Sequence, residues 1–142
     1  MTAYDSAPGV LDLKTQGGAL TPMQLLDLVE RGLPESALSK LAEVIGCTPA
    51  AIVASAGPKA TRALRKNDGT FDPALGTVVI RLAAVFSLAL EVWDDKEDAR
   101  AFLHRPHPML EGRSPFDVAL RSEIGAAIVD EILDRLRHGS AT

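Results

Sequence analysis

"VVIRLAAVFSLALEVW", residues 78–93, is the most apolar run in this chain of 142 residues, and the fold depends on how it is read. A bilayer-crossing helix needs about 20 apolar residues; this run is shorter and carries Arg81 and Glu91 inside it. Extended back to Pro73, its polar residues Thr77, Arg81, Ser87 and Glu91 leave only a narrow wet stripe. A helix that is apolar nearly all round is covered on most sides. Residues 73–93 are therefore expected to form the central helix of a water-surrounded core, with a dimer interface as a second use of the same surface.

Composition fits a core built around such a helix. Hydrophobic residues make up 46% of the chain and aromatic ones only 4%, so Ala, Leu, Val and Ile must fill the interior. The length suits one domain, or two small subdomains sharing a core. A net charge of −4 gives no global attraction to nucleic acid, so any such surface must come from local clustering. Cys47, the single cysteine, rules out an internal disulfide and a Cys-cluster zinc site. Residues 1–20, "MTAYDSAPGVLDLKTQGGAL", lack a basic start and a continuous apolar run. They read as a loose tail over 1–19, not as an export signal.

On either side of the central helix the chain is punctuated as helices are. Thr21-Pro22, Thr48-Pro49, Asp72-Pro73 and Ser114-Pro115 each pair a capping side chain with proline at the first helical position, where a missing N–H costs nothing. Gln24 stands where a capping box needs it. Glycines at 32, 46, 57, 69 and 139 follow the expected helix ends. Between these marks apolar residues recur at helical spacing: Leu25, Leu28 and Val29; then Leu38, Leu41, Ala42 and Ile45. Ile124, Ile128, Ile132 and Leu136 recur every four residues on a last helix with a charged opposite face. Asp94, Asp95, Glu97 and Asp98 suit the N-terminus of another helix, where negative charge meets the dipole. No stretch alternates strictly enough for a strand. The expectation is an all-α protein of roughly eight helices: an N-terminal helix-turn-helix-like bundle over 20–70, then the long central helix and a C-terminal helical subdomain within 71–142.

Two segments bear on function. Residues 48–69, "TPAAIVASAGPKATRALRKNDG", read as helix, glycine-containing turn and second helix, the spacing of a DNA-binding helix-turn-helix. The second helix carries Lys59, Arg62, Arg65 and Lys66 with Thr61 near its start, a cationic cluster in an acidic protein. A solvated basic face is the plain alternative. The other segment is "HRPHPMLEGRSPFDV", 104–118, with two histidines three residues apart. Pro106 and Pro108 stop a helix and favour extended backbone at Arg105 and His107, so the two imidazoles are not expected to share a metal. The segment reads as a rigid connector that turns at Gly112 and ends in the Ser114-Pro115 cap. No phosphate loop, nucleophile elbow, zinc-protease motif or calcium loop occurs, and nothing couples Cys47 to His104, His107 or His138. No catalytic residue, metal or cofactor is expected.

Residues 102–139, "FLHRPHPMLEGRSPFDVALRSEIGAAIVDEILDRLRHG", resemble the toxin-binding domain of the bacterial Xre/MbcA/ParS antitoxins. The pattern falls on Leu103, Pro106, Pro108, Leu110, Gly112, Arg113, Ser114, Pro115, Glu123, Gly125, Ala126 and Gly139. Upstream, "ERGLPESALSKLAEVIG" (30–46) and "RLAAVFSLALEVWDDKEDARAFL" (81–103) are also similar, so the resemblance runs over about 20–139. In the DNA-reading part Pro58, Thr61, Arg65 and Lys66 are kept, but Leu64 stands where relatives commonly have a basic residue.

The resemblance implies a cytoplasmic antitoxin that has no activity of its own. It would bind a RES-domain toxin that destroys NAD⁺, cover that toxin's active site with its C-terminal region, and repress its own operon as a dimer or larger assembly. Toxin contact is then expected at Pro108, Leu110, Gly112, Arg113, Pro115, Phe116, Arg135, Arg137, His138 and Gly139. Operator contact is expected at Lys59, Thr61, Arg62, Arg65 and Lys66. Two other readings are a stand-alone regulator whose C-terminal half only dimerises, and a small enzyme using His104 or His107. A toxin gene next door, lethal unless co-expressed, separates the first reading from both.

Overall fold

Five of the described helices begin where a side chain takes up an orphan amide, while the helix that follows Pro34 has no such side-chain cap. The computed structural model describes residues 21–55, 70–71 and 73–139. Over these the chain runs α1 (Pro22–Arg31), β1 (Leu33–Pro34), α2 (Glu35–Ile45), α3 (Pro49–Ser55), β2 (Thr70–Phe71), α4 (Pro73–Trp93), α5 (Lys96–His104), a 3-10 turn (Pro108–Leu110), α6 (Pro115–Arg121) and α7 (Glu123–Arg137). The all-α expectation holds. Thr21 and Gln24 close a reciprocal capping box at α1. Asp95 caps α5 through the Asp98 amide at 2.9 Å, so that acidic run is a helix start. Ser114 caps α6 at 3.2 Å. Ser122, a cap not read from the sequence, does the same for α7 at 3.0 Å. The cap at Asp72, the glycines at 57 and 69, and the tail over 1–19 lie outside the described residues.

Two features depart from expectation. Leu33–Pro34 pairs antiparallel with Thr70–Phe71, a two-residue ladder too short for any alternation to announce it. The central helix, α4, also has less wet surface than its composition suggests. Arg81 is only 8% exposed and Ser87 is buried with it, leaving Thr77 and Glu91 in water. At 21 residues α4 is long and apolar enough to cross a bilayer, but 78% of its most apolar window is buried inside this protein. Burial, not length, marks it as a core helix.

The other helices surround α4. Leu25 of α1, Leu38 and Leu41 of α2, Ile52 of α3, Leu103 of α5, Phe116 of α6 and Leu133 of α7 belong with α4 to one apolar cluster. Arg81 bonds Glu123 near the start of α7, and Glu91 bonds Arg137 at its end, so α4 and α7 run in the same direction. The opposite flank of α7 lies against α6. There a Cβ on Gly125 would stand 2.0 Å from the Val118 carbonyl oxygen, so only glycine allows this approach.

Candidate functional site

The connector between α5 and α6 is the most constrained loop among the described residues, and its histidines do the constraining. Arg105 and His107 are extended, as the prolines require. The His104 ring lies 5.0 Å from the Phe116 ring, and its Nε2 reaches the Ile45 carbonyl at 2.8 Å. A carbonyl only accepts, so that nitrogen carries the proton. Arg100 Nε donates to the neighbouring Val44 carbonyl at 2.7 Å. Together Arg100 and His104 satisfy the open carbonyl end of α2. His107 stacks edge-on to Phe102 at 6.1 Å, and its Nδ1 accepts from the Met109 amide at 3.1 Å.

The loop then closes on itself. The His107 amide donates to the Arg113 carbonyl at 3.0 Å, and the Gly112 amide donates back to the His107 carbonyl at 3.1 Å. Between them Glu111 and Gly112 both take positive φ, 56° and 83°, which makes the reversal. The histidines thus serve shape. Among the described residues no three His, Cys, Asp or Glu side chains gather as a metal set. Burial pushes the Cys47 thiol up from its ordinary value, away from the thiolate a nucleophile needs.

This rigid loop sorts the residues read from the sequence into walls and surface. Leu110, Pro115 and Phe116 are buried, while Pro108, Gly112 and Arg113 are exposed. Leu110 and Phe116 are thus largely covered and help to hold the surface in place, with Leu110 also lining a cleft beside Ile128. At the end of α7, Arg135 pairs with Glu131 at 2.8 Å and Arg137 with Glu91 at 2.6 Å. His138 lies 3.4 Å from Asp134, and Gly139 is exposed. Arg137 is thus tied to the central helix instead of lying in a free tail. Lys59, Thr61, Arg62, Arg65 and Lys66 lie outside the described residues.

The sequence reading missed the apolar surface. Ile124 and Ile128, read there as part of the core stripe, are 76% and 42% exposed, and Met109 is 57% exposed. The core face of α7 is formed by Gly125, Ala126, Val129, Ile132 and Leu133. Met109 and Ile128 border a cleft of about 240 Å³ with Leu110, Glu111, Arg113 and Val118. A second groove, about 340 Å³, lies between α1 and α4, lined by Pro22, Leu25, Leu26, Val29, Thr77 and Ile80 and ending at Glu123. The small pair Gly125-Ala126 was the available signal, since small residues mark the face where helices approach closely.

The flank of α7 that faces α4 carries Asp130, two turns from both Glu123 and Arg137. Its Oδ1 is buried and has no hydrogen-bond partner among the described residues. Burial, reinforced by the Glu123 carboxylate, pushes its pKa up to about 6.

The loop, α6 and α7 form the larger part of a segment that matches a known family. The model of the antitoxin Xre/MbcA/ParS C-terminal toxin-binding domain covers residues 88–139. Over these residues the chain is similar to the toxin-binding domain of the Xre/MbcA/ParS antitoxins. The matched segment starts inside α4 and takes in α5, the connector, α6 and α7, and the similarity read over 20–87 lies outside the match. A comparison with curated proteins finds no match to the chain.

Proposed function

We propose that this protein is the antitoxin of a type II toxin–antitoxin pair whose toxin is a RES-domain enzyme that degrades NAD⁺. The match of residues 88–139 to a toxin-binding domain carries the reading. The self-closed connector supports it, because a loop held by its own histidines presents a fixed shape and a preorganised surface loses little entropy on binding. In this reading Pro108, Gly112 and Arg113 meet the toxin on a wall set by Leu110, Pro115 and Phe116. Arg135, Arg137, His138 and Gly139 direct the following residues towards the toxin's active site. The protein acts in the cytoplasm as a dimer or a larger assembly with its toxin. It also represses its operon through Lys59, Thr61, Arg62, Arg65 and Lys66, a role supported by the clustering of cations after a turn.

The test is the NAD⁺ level in cells co-expressing the toxin encoded beside this gene with the full chain or with a chain ending at His138. The cut spares Arg137 and its bond to Glu91, so the fold is kept. NAD⁺ is expected to stay high with the full chain and to fall with the shortened one. Equal protection by both would assign the block to the body of the domain, and no protection by either would reject the pairing. Replacing Arg62 and Arg65 by Ala is expected to abolish operator binding while toxin capture continues. The slope of log affinity against log salt should flatten by roughly 0.9 for each phosphate that is no longer neutralised.

A further inference from the structure

We infer that the cleft between the connector and α7, bordered by Met109, Val118 and Ile128, is the seat of an apolar side chain of the toxin, with Arg113 receiving a carboxylate beside it. The inference rests on the antitoxin reading and names where docking, as distinct from occlusion, takes place. Three of the six exposed large hydrophobic residues among those described, Met109, Ile124 and Ile128, lie on this side of the domain. Ile124 and Ile128 are one turn apart on α7, and helix neighbours at that spacing share a face. The cleft of about 240 Å³ has room for one large apolar side chain.

Its backbone frame is fixed. Gly125 fixes α7 against the Val118 backbone, and the bonds between His107, Gly112 and Arg113 fix the connector. The lining is mixed, apolar at Met109, Leu110, Val118 and Ile128 and charged at Glu111 and Arg113, and an apolar anchor point flanked by polar groups suits a binding hot spot. Neither Glu111 nor Arg113 forms an ion pair among the described residues. An arginine left open beside an apolar cleft suits a partner that carries an acidic group next to its anchor. The occupant is the toxin and not a second copy of this chain because the whole cleft lies inside residues 88–139, the toxin-binding match. The groove along α1 lies almost entirely outside it.

The test uses the full-length chain and the purified toxin encoded beside its gene, with affinity measured by titration. Met109→Asp combined with Ile128→Glu is expected to weaken toxin binding by roughly fiftyfold or more. Arg113→Glu is expected to weaken it by roughly tenfold, with a shallower salt dependence. Helicity and thermal midpoint report on folding, and Ala101→Glu, an exposed site on α5, serves as a charge control that keeps wild-type affinity. If the wild-type chain binds the toxin and the folded double variant binds equally well, the cleft is not the seat, although the antitoxin reading survives. If the wild-type chain does not bind the toxin, both fall. If the double variant changes the oligomeric state of the chain alone and leaves toxin affinity intact, the cleft is a self-interface and the inference is overturned.

Discussion

The two flanks of α7 are joined to the protein in opposite ways. Towards α6 the fit is one of shape, with no side chain at Gly125 and the Val118 backbone filling the space. Towards α4 it is one of charge, with Arg81–Glu123 at one end, Glu91–Arg137 at the other, and Asp130 between them. Close packing is intolerant because an added atom has nowhere to go. A charged seam is tolerant at its exposed end, Glu91–Arg137, where water screens the pair, and sensitive where charge is buried. This difference in tolerance separates the two flanks.

The comparison is broken most directly at Gly125. Gly125→Val must push α7 away from α6, and is expected to cost at least about 3 kcal/mol, read as a lower urea midpoint at unchanged slope. A cost below about 1 kcal/mol would mean that the shape flank is as compliant as the charged one.

At the buried end of the seam, Arg81 Nε donates to Glu123 at 3.0 Å and Nη1 to the Leu120 carbonyl at 3.4 Å. Arg81→Ala removes both bonds and leaves a cavity, for an expected loss of about 2 kcal/mol. Arg81→Met keeps the volume and should recover about half of that. If the two variants are equally unstable, the loss is electrostatic and packing contributes little.

Asp130 gives the smallest effect, with the opposite sign. Its folded pKa, about 6, lies above the ordinary aspartate value of 3.8, so the folded state binds the proton more tightly than the unfolded chain. The stability linked to this group is fully present below about pH 4 and is lost as pH rises through about 6. Asp130→Asn is therefore expected to stabilise the protein at about pH 7 by about 1 kcal/mol, a figure reduced for the part of the side chain that water reaches. The gain should vanish near about pH 3.5. Urea titrations of both proteins at the two pH values measure it, and a gain independent of pH would detach it from ionisation.

What the sequence made legible was local. Thr21 with Gln24, Ser114 and Asp95 cap their helices within three residues of themselves, so the signal and its partner are read together. The proline-fixed connector was legible for the same reason. Arg81 was misplaced on a wet stripe because the carboxylate that lets it be buried stands 42 residues away. The series Ile124, Ile128, Ile132, Leu136 was read as one stripe. A four-residue step overshoots a helical turn by about 40°, so three steps carry the row about a third of the way round. Ile132 and Leu136 reach the core while Ile124 and Ile128 turn outward. The docking cleft was hidden by the same arithmetic, since its α7 wall is the residue assigned to the interior.

Because α4 and α7 run the same way, the chain must travel back along the whole of α4 before α7 can lie against it, and residues 94–122 make that return. During synthesis, Arg137 follows Trp93 by roughly 2–9 s at about 5–20 residues per second. Through that interval the flank of α4 carrying Arg81 and Glu91 has no α7 to meet. The pace of translation therefore sets how long the most apolar helix of the chain stays open to whatever binds unfinished polypeptides.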